Sequence, residues 1–247
     1  MKLKLFYILY AGGFALSASR FIPYLKNDDV ELVPIEYAGR GMRSNEQKYE
    51  SFEHVVQDVV KQINKQAGDD PYIIWGHSMG ALVAYEVCHK MNSVGNNRLK
   101  HAIFSGQDAP NSKHIKKEYH LLSKPDRIKF INKLGGIPEE ITESSDWFNF
   151  FLSYIESDLL LMDQYKYINR GKLNYKCVVM YGKEDESIHI LKNDWEELFF
   201  NISYKVHEGG HFFIFDEIEL VMENINQIID EVRDVHTNAY PPFKNRQ

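Results

Sequence analysis

The stretch that most restricts how this chain can fold runs from Pro71 to Met91. A short β-rich run, Pro71 to Trp75, leads into Gly76-His77-Ser78-Met79-Gly80, and a long apolar run, Met79 to Met91, leads out. Glycines two residues before and two after a serine let a strand cross closely over the helix that follows it, where a Cβ would strike neighbouring backbone. The serine of such a turn is strained, stands at the top of a sheet and opens a helix. Its hydroxyl there lies beside backbone N–H groups that can meet negative charge. The five-residue pattern alone is weak; its value comes from the strand before it, the helix after it and the partners that follow in order.

The elements around this turn alternate. Leu3 to Tyr10 reads as a buried strand, Ser19 to Leu25 as a short helix and Val30 to Glu36 as a second strand. Ser51 to Gln66 is an amphipathic helix, with Phe52, Val55, Val56, Val59 and Ile63 at helical spacing and Gly68 as its stop. Leu99 to Ser105 is a further strand. This β-α-β-α-β order implies a mostly parallel sheet covered by helices on both faces.

After Gly106 about seventy residues pass before the next clear strand, Lys176 to Tyr181, too long for a plain crossover. Lys124 to Leu134 is helical, Gly135-Gly136-Ile137-Pro138 is a break, and Trp147 to Met162 is a very apolar helix. A helix apolar nearly all round wants burial on two sides, either deep in the core or as a lid between core and cavity. Ile190 to Phe200 reads as helix and Tyr204 to His207 as the last strand. The final helix carries Ile218, Val221, Met222, Ile225, Ile228, Ile229 and Val232, with Asp216 and Glu219 as a capping box. The expectation is one domain over residues 1–235, a helical insertion at about 112–168, and a polar tail over 236–247.

A chain of 247 residues can bury a large single core. A net charge of −6 gives no nucleic-acid footprint. Cys88 and Cys177 form no disulfide framework and read as buried thiols in a reducing, cytoplasmic compartment. Lys2 and Lys4 before apolar Leu5 to Leu16 also fit a secretion signal, but the strand reading is preferred because Gly12 and Gly13 have a use in the site. No apolar run is long enough to span a membrane. No zinc-ligand spacing is present, so no metal is inferred.

A serine hydroxyl needs a base to take its proton, and that base is usually a histidine held by a carboxylate. In a sheet of this kind the chain order is Ser, then Asp or Glu, then His. His211, in the Gly209-Gly210-His211 turn before the last helix, is the best-placed base of ten histidines. His207 lies in or at the end of a strand, and His77 points away from its neighbour Ser78. Asp185, in the turn after the 176–181 strand, is the preferred acid, with Asp108 as the alternative. The oxyanion donors are the N–H of Met79 and one from Ala11-Gly12-Gly13, with Gly12 first and Ala11 next.

With these residues in place, the chain resembles the type II thioesterases, the free-standing editing enzymes of nonribosomal peptide and polyketide synthases. The resemblance runs from about Phe6 to Val232. It rests on Tyr10-Ala11-Gly12-Gly13, Gly39-Arg40-Gly41 with Arg43, Trp75 to Ala81, Phe104-Ser105-Gly106 with Ala109-Pro110, Leu134 to Pro138, Ser157-Asp158-Leu159, Tyr181-Gly182 with Asp185, and Gly209 to Phe213. It implies an α/β-hydrolase fold with a helical lid and a triad of Ser78, Asp185 and His211. It implies hydrolysis of acyl groups stalled as thioesters on the phosphopantetheine arm of a carrier protein, the arm belonging to the substrate, so that the enzyme needs no cofactor of its own. A monomer is expected. Ala38 stands where the family usually has proline, and Gln107-Asp108 replaces a commonly basic pair. Lys113, Lys116 and Lys117 are candidates for a local patch that steers an acidic carrier, against the plainer reading of a solvated charged stretch. Two other functions stay open at this point: a carboxylesterase or lipase acting on free esters, and a binding protein that kept the fold without catalysis.

Overall fold

Six runs of alternating or continuous apolar residues pair into one sheet. The computed structural model describes residues 2–115, 118–135, 145–189 and 192–239. The strands are β1 (Leu3–Ile8), β2 (Val30–Ile35), β3 (Tyr72–His77), β4 (Leu99–Ser105), β5 (Leu173–Gly182) and β6 (Phe199–His207). Their order across the sheet is β2-β1-β3-β4-β5-β6, and every pairing is parallel. β3, at the centre, is buried at all its positions, as a strand covered on both faces must be. The architecture is the α/β arrangement expected from the alternating elements.

Parallel neighbours need crossovers, and helices supply them. α1 (Phe52–Ala67) buries Phe52, Val55, Val56, Val59 and Ile63, starts on a Ser51 side chain that accepts from the His54 N–H at 3.2 Å, and stops at Gly68. α2 (Met79–Ser93) follows Ser78 and is buried along almost its whole length, because it packs on the sheet and on α1.

Among the described residues between β4 and β5 lie a tight turn at Tyr119–Leu121 and the helices α3 (Lys124–Leu134) and α4 (Ser145–Asp163). They make a small core of their own from Tyr119, Ile131, Leu152 and Leu159, and Ala11 of the loop after β1 packs against it. α4 is not buried all round: Leu152, Leu159 and Leu161 face inward, while Phe150 stays 44% exposed. The side chain of Trp147, together with Gly136 to Pro138 and Lys116 and Lys117, lies outside the described residues; Lys113 is exposed.

Four expectations are corrected. The helix at 19–25 is instead two short 3-10 segments, Ala15–Arg20 and Ile22–Tyr24, the second holding Pro23, which has no N–H to extend a helix. The helix expected over 190–200 shrinks to α5 (Lys192–Glu196), and Phe199 already opens β6. As the sheet's last strand, β6 keeps Asn201, Ser203 and Lys205 at partly exposed positions, so its apolar signal was visible only near its end. Asp216 does not cap the final helix: it ends a separate one-turn helix, α6 (Phe213–Asp216), and α7 begins at Ile218. α7 (Ile218–Ala239) also runs past the expected boundary at 235.

Candidate active site

The strand-to-helix turn positions Ser78 by elimination. Ser78 has φ 54° and ψ −120°, a strained backbone for a residue with a Cβ. A Cβ on Gly76 would lie 2.1 Å from the Gly80 carbonyl oxygen, and one on Gly80 would lie 2.1 Å from that of Ile8. Glycine is therefore required at both positions for α2 to cross the sheet this closely. The Ser78 N–H donates to the Ser105 carbonyl at 2.8 Å, fixing the turn to β4.

The loops after β5 and β6 are pressed together. A Cβ at Gly182 would stand 2.3 Å from the Gly209 oxygen and 2.4 Å from that of Gly210. The Glu184 N–H donates to the Gly209 carbonyl at 3.0 Å. This contact brings Asp185 and His211 side by side: His211 Nδ1 lies 2.8 Å from Asp185 Oδ2, and His211 Nε2 lies 3.0 Å from Ser78 Oγ. A carboxylate at Nδ1 fixes the proton on that nitrogen and leaves Nε2 to accept from the serine hydroxyl. Burial alone raises the Asp185 carboxyl, but hydrogen bonds and charge from His211 and Ser187 outweigh it and hold the group below its ordinary value.

Ser187 was not singled out in the sequence. Its N–H and hydroxyl both donate to Asp185 Oδ1, at 2.9 and 2.5 Å, and its oxygen lies 3.1 Å from His211 Nδ1. A serine two residues after a candidate acid is the signal of an Asx-type turn that could have pointed to it.

The remaining candidates separate. Asp108 is buried, but its Oδ1 accepts from the His189 N–H at 2.6 Å, and the carboxylate on His211 Nδ1 is that of Asp185; the alternative acid is corrected accordingly. His77 is fully buried with Nδ1 3.0 Å from Ser105 Oγ, and burial followed by the neighbouring His211 charge pushes its pKa well down. His207 stacks on Phe213 with ring centres 5.0 Å apart.

Met79 begins α2, so its N–H has no intrahelical partner and lies next to Ser78. The early-loop donor requires a correction. The Gly12 N–H, first choice in the sequence, donates to Asp158 Oδ2 at 2.7 Å and is spent there. No hydrogen bond from the Ala11 N–H forms among the described residues, which makes Ala11 the better donor. Asp158, of the Ser157-Asp158-Leu159 run on the apolar helix, is 1% exposed and paired with Arg40, itself 2% exposed. A carboxylate inside so apolar a helix is a signal in itself, because a buried charge demands a partner.

Ser78 and His211 open onto a cleft whose apolar wall is Tyr119, Phe130, Leu134, Leu159 and Met162 from the segment between β4 and β5. Among the described residues no three His, Cys, Asp or Glu side chains are grouped to hold a metal ion, and no helix is long and apolar enough to cross a membrane.

The thioesterase domain family model matches residues 3–229. The chain belongs to the thioesterase family. It is a thioester hydrolase with an α/β-hydrolase fold. This thioesterase is 28% identical over 220 residues to the gramicidin S biosynthesis protein GrsT of Aneurinibacillus migulanus, covering 87% of this chain and 84% of that one. It is 29% identical over 234 residues to the probable anguibactin biosynthesis thioesterase AngT of Vibrio anguillarum, covering 90% of each. Among solved structures it superposes on ClbQ from the colibactin nonribosomal peptide and polyketide pathway with a TM-score of 0.86 at 26% identity, covering 95% of this chain and 100% of that one.

Proposed function

We propose that this thioesterase clears acyl groups from the phosphopantetheine arm of carrier proteins in a nonribosomal peptide or polyketide synthase, using Ser78 as nucleophile, His211 as base and Asp185 as its support. The observation that carries the reading is the unbroken hydrogen-bonded line from Ser78 Oγ through His211 to Asp185 on a sharply turned backbone. Relatives from gramicidin S and anguibactin biosynthesis supply the pathway class.

The steps follow from the geometry. Ser78 Oγ attacks the thioester carbonyl while His211 Nε2 takes its proton. The N–H groups of Met79 and Ala11 meet the negative oxygen of the tetrahedral intermediate. The intermediate expels the pantetheine sulfur, which receives the proton from His211, and the acyl group stays on Ser78. Water, deprotonated by His211, attacks the acyl-serine; a second tetrahedral intermediate collapses to free acid and restores the serine hydroxyl. The apolar wall of the cleft receives the acyl chain.

The test is the intact mass of acyl-loaded carrier protein before and after incubation, across chain lengths. The wild type is expected to strip the acyl group and S78A to leave it. Faster turnover of simple oxygen esters than of any acyl carrier protein would instead make the enzyme a carboxylesterase.

A further inference from the structure

The buried pair that the catalytic steps do not use joins α4 to the loop after β1. Asp158 accepts from Arg40 through both oxygens, from Nη1 at 2.7 Å and Nη2 at 2.6 Å, and its Oδ2 also takes the Gly12 N–H at 2.7 Å. Arg40 Nη1 in turn donates to the Gly13 carbonyl at 3.2 Å. The Gly12–Gly13 segment is thus held at an N–H and at a carbonyl by two opposite charges that neutralise each other.

One face of α4 makes the grip. Ile155, one turn before Asp158, sits where a Gly12 Cβ would lie, 2.2 Å from its Cγ1, and Gly12 has φ +77°. Phe151 and Tyr154 pack edge-on against Phe14 of the same loop, with ring centres 5.5 and 5.2 Å apart. Residues at positions i, i+3, i+4 and i+7 of a helix share one side, so 151, 154, 155 and 158 bear on residues 12 to 14 together. Leu159 and Met162, next along the helix, line the cleft.

We infer that Asp158 is a positioning residue for the oxyanion site: with Arg40 it fixes the Ala11–Gly13 loop so that the Ala11 N–H serves the developing oxyanion, and it does this only while α4 is seated on the loop. Lifting α4 frees the Gly12 N–H and takes from Arg40 the carboxylate that holds it, so the donor loop loses its shape. Hydrolytic competence is thereby tied to a closed cleft. The inference rests on the reading of Ser78 as nucleophile.

The experiment compares two ligands carrying the same acyl chain. An alkyl boronic acid forms a tetrahedral adduct on the serine and places an oxygen in the oxyanion site; a thioether analogue has no carbonyl and reports ground-state binding alone. In D158A the boronate affinity is expected to fall roughly 10- to 100-fold, with kcat falling in step, while thioether affinity and KM stay within about twofold. Thermal melts correct for folded fraction. Should D158A not fold, D158N keeps the volume, turns an amide donor toward Arg40 or Gly12, and is read by the same ratio. Equal loss for both ligands, or loss for neither, overturns the inference. A wild type that forms no boronate adduct on Ser78 sinks the reading of the nucleophile instead.

Discussion

Replacing Asp185 by Asn tests the acid assignment most sharply. The carboxylate and the imidazole are both buried, 1% and 6% exposed, with Nδ1 and Oδ2 2.8 Å apart. The charge centres then lie about 4 Å apart, and at an effective dielectric of about 20 the carboxylate favours the imidazolium formed in the transition state by about 4 kcal/mol. Every 1.36 kcal/mol is tenfold in rate, so losing the charge costs about 10³-fold. Ser187 adds to the loss. Its N–H and hydroxyl already donate to Oδ1 and would keep the amide oxygen on that side, turning the NH₂ toward His211 Nδ1. Nδ1 must then accept, the ring proton moves to Nε2, and the base faces Ser78 in the wrong tautomer. We expect D185N to lower single-turnover acylation by an acyl-N-acetylcysteamine thioester between about 10³- and 10⁴-fold, with KM nearly unchanged. D108N, which keeps an oxygen for the His189 N–H, is expected to stay within about threefold of wild type. A loss below tenfold in D185N, or an equal loss in D108N, refutes the assignment. The Asp185 pKa is depressed in the fold, so its contribution to stability is full above the ordinary aspartate value of about 4 and is lost as pH falls through the depressed one. Acid unfolding of D185N should therefore lack that part of the wild-type loss.

Met162→Trp fills the apolar end of the cleft and should cut hydrolysis of long-chain thioesters roughly tenfold relative to short ones, measured as kcat/KM across a chain-length series. Glu86 on α2 receives two 2.7 Å bonds from Arg170 Nη2 and a 2.9 Å bond from the Tyr165 hydroxyl. Because the Arg170 side chain is 30% exposed and can find water, E86A should cost only about 2 kcal/mol, or roughly 4–8 °C in melting temperature, without changing KM. Cys88 and Cys177 are buried and burial raises both thiols, so neither should take iodoacetamide at pH 8 until urea is added, as read by intact mass.

Much of the site's layout was legible because glycine and order carry it. Gly76, Gly80 and Gly182 are demanded by backbone contacts that no side chain would allow, and Gly209 by a left-handed turn; such needs leave a mark in the residues themselves. Helix α1 was legible through its stripe and its Gly68 stop. Where pairing partners decide the structure, the residues say less. β6 could be read only at its end because Asn201, Ser203 and Lys205 face partly outward on an edge strand. The choice between Ala11 and Gly12 was closed to sequence reasoning for a stronger reason: it depends on Asp158, 146 positions away.

The parallel sheet explains why so few residues suffice. Four groups are offered by loops that follow β1, β3, β5 and β6, and in a parallel sheet all those loops leave from the same edge. The strand order puts β1 directly beside β3, which brings the Ala11 loop to Ser78 without a long reach. β5 pairs with β6 along its whole end, Gly182 against His207, so Asp185 and His211 share one short stretch of backbone contact. The remaining gap, from the β6 side to Ser78 just after β3, is spanned by the His211 imidazole alone, 3.0 Å from the hydroxyl. What the sheet does not supply is a floor under the loop after β1, since nothing in the β1–β3 ladder holds residues beyond Ile8. A helix arriving from the segment between β4 and β5 provides it, which is why a charge pair far from the reacting bond is buried against that loop.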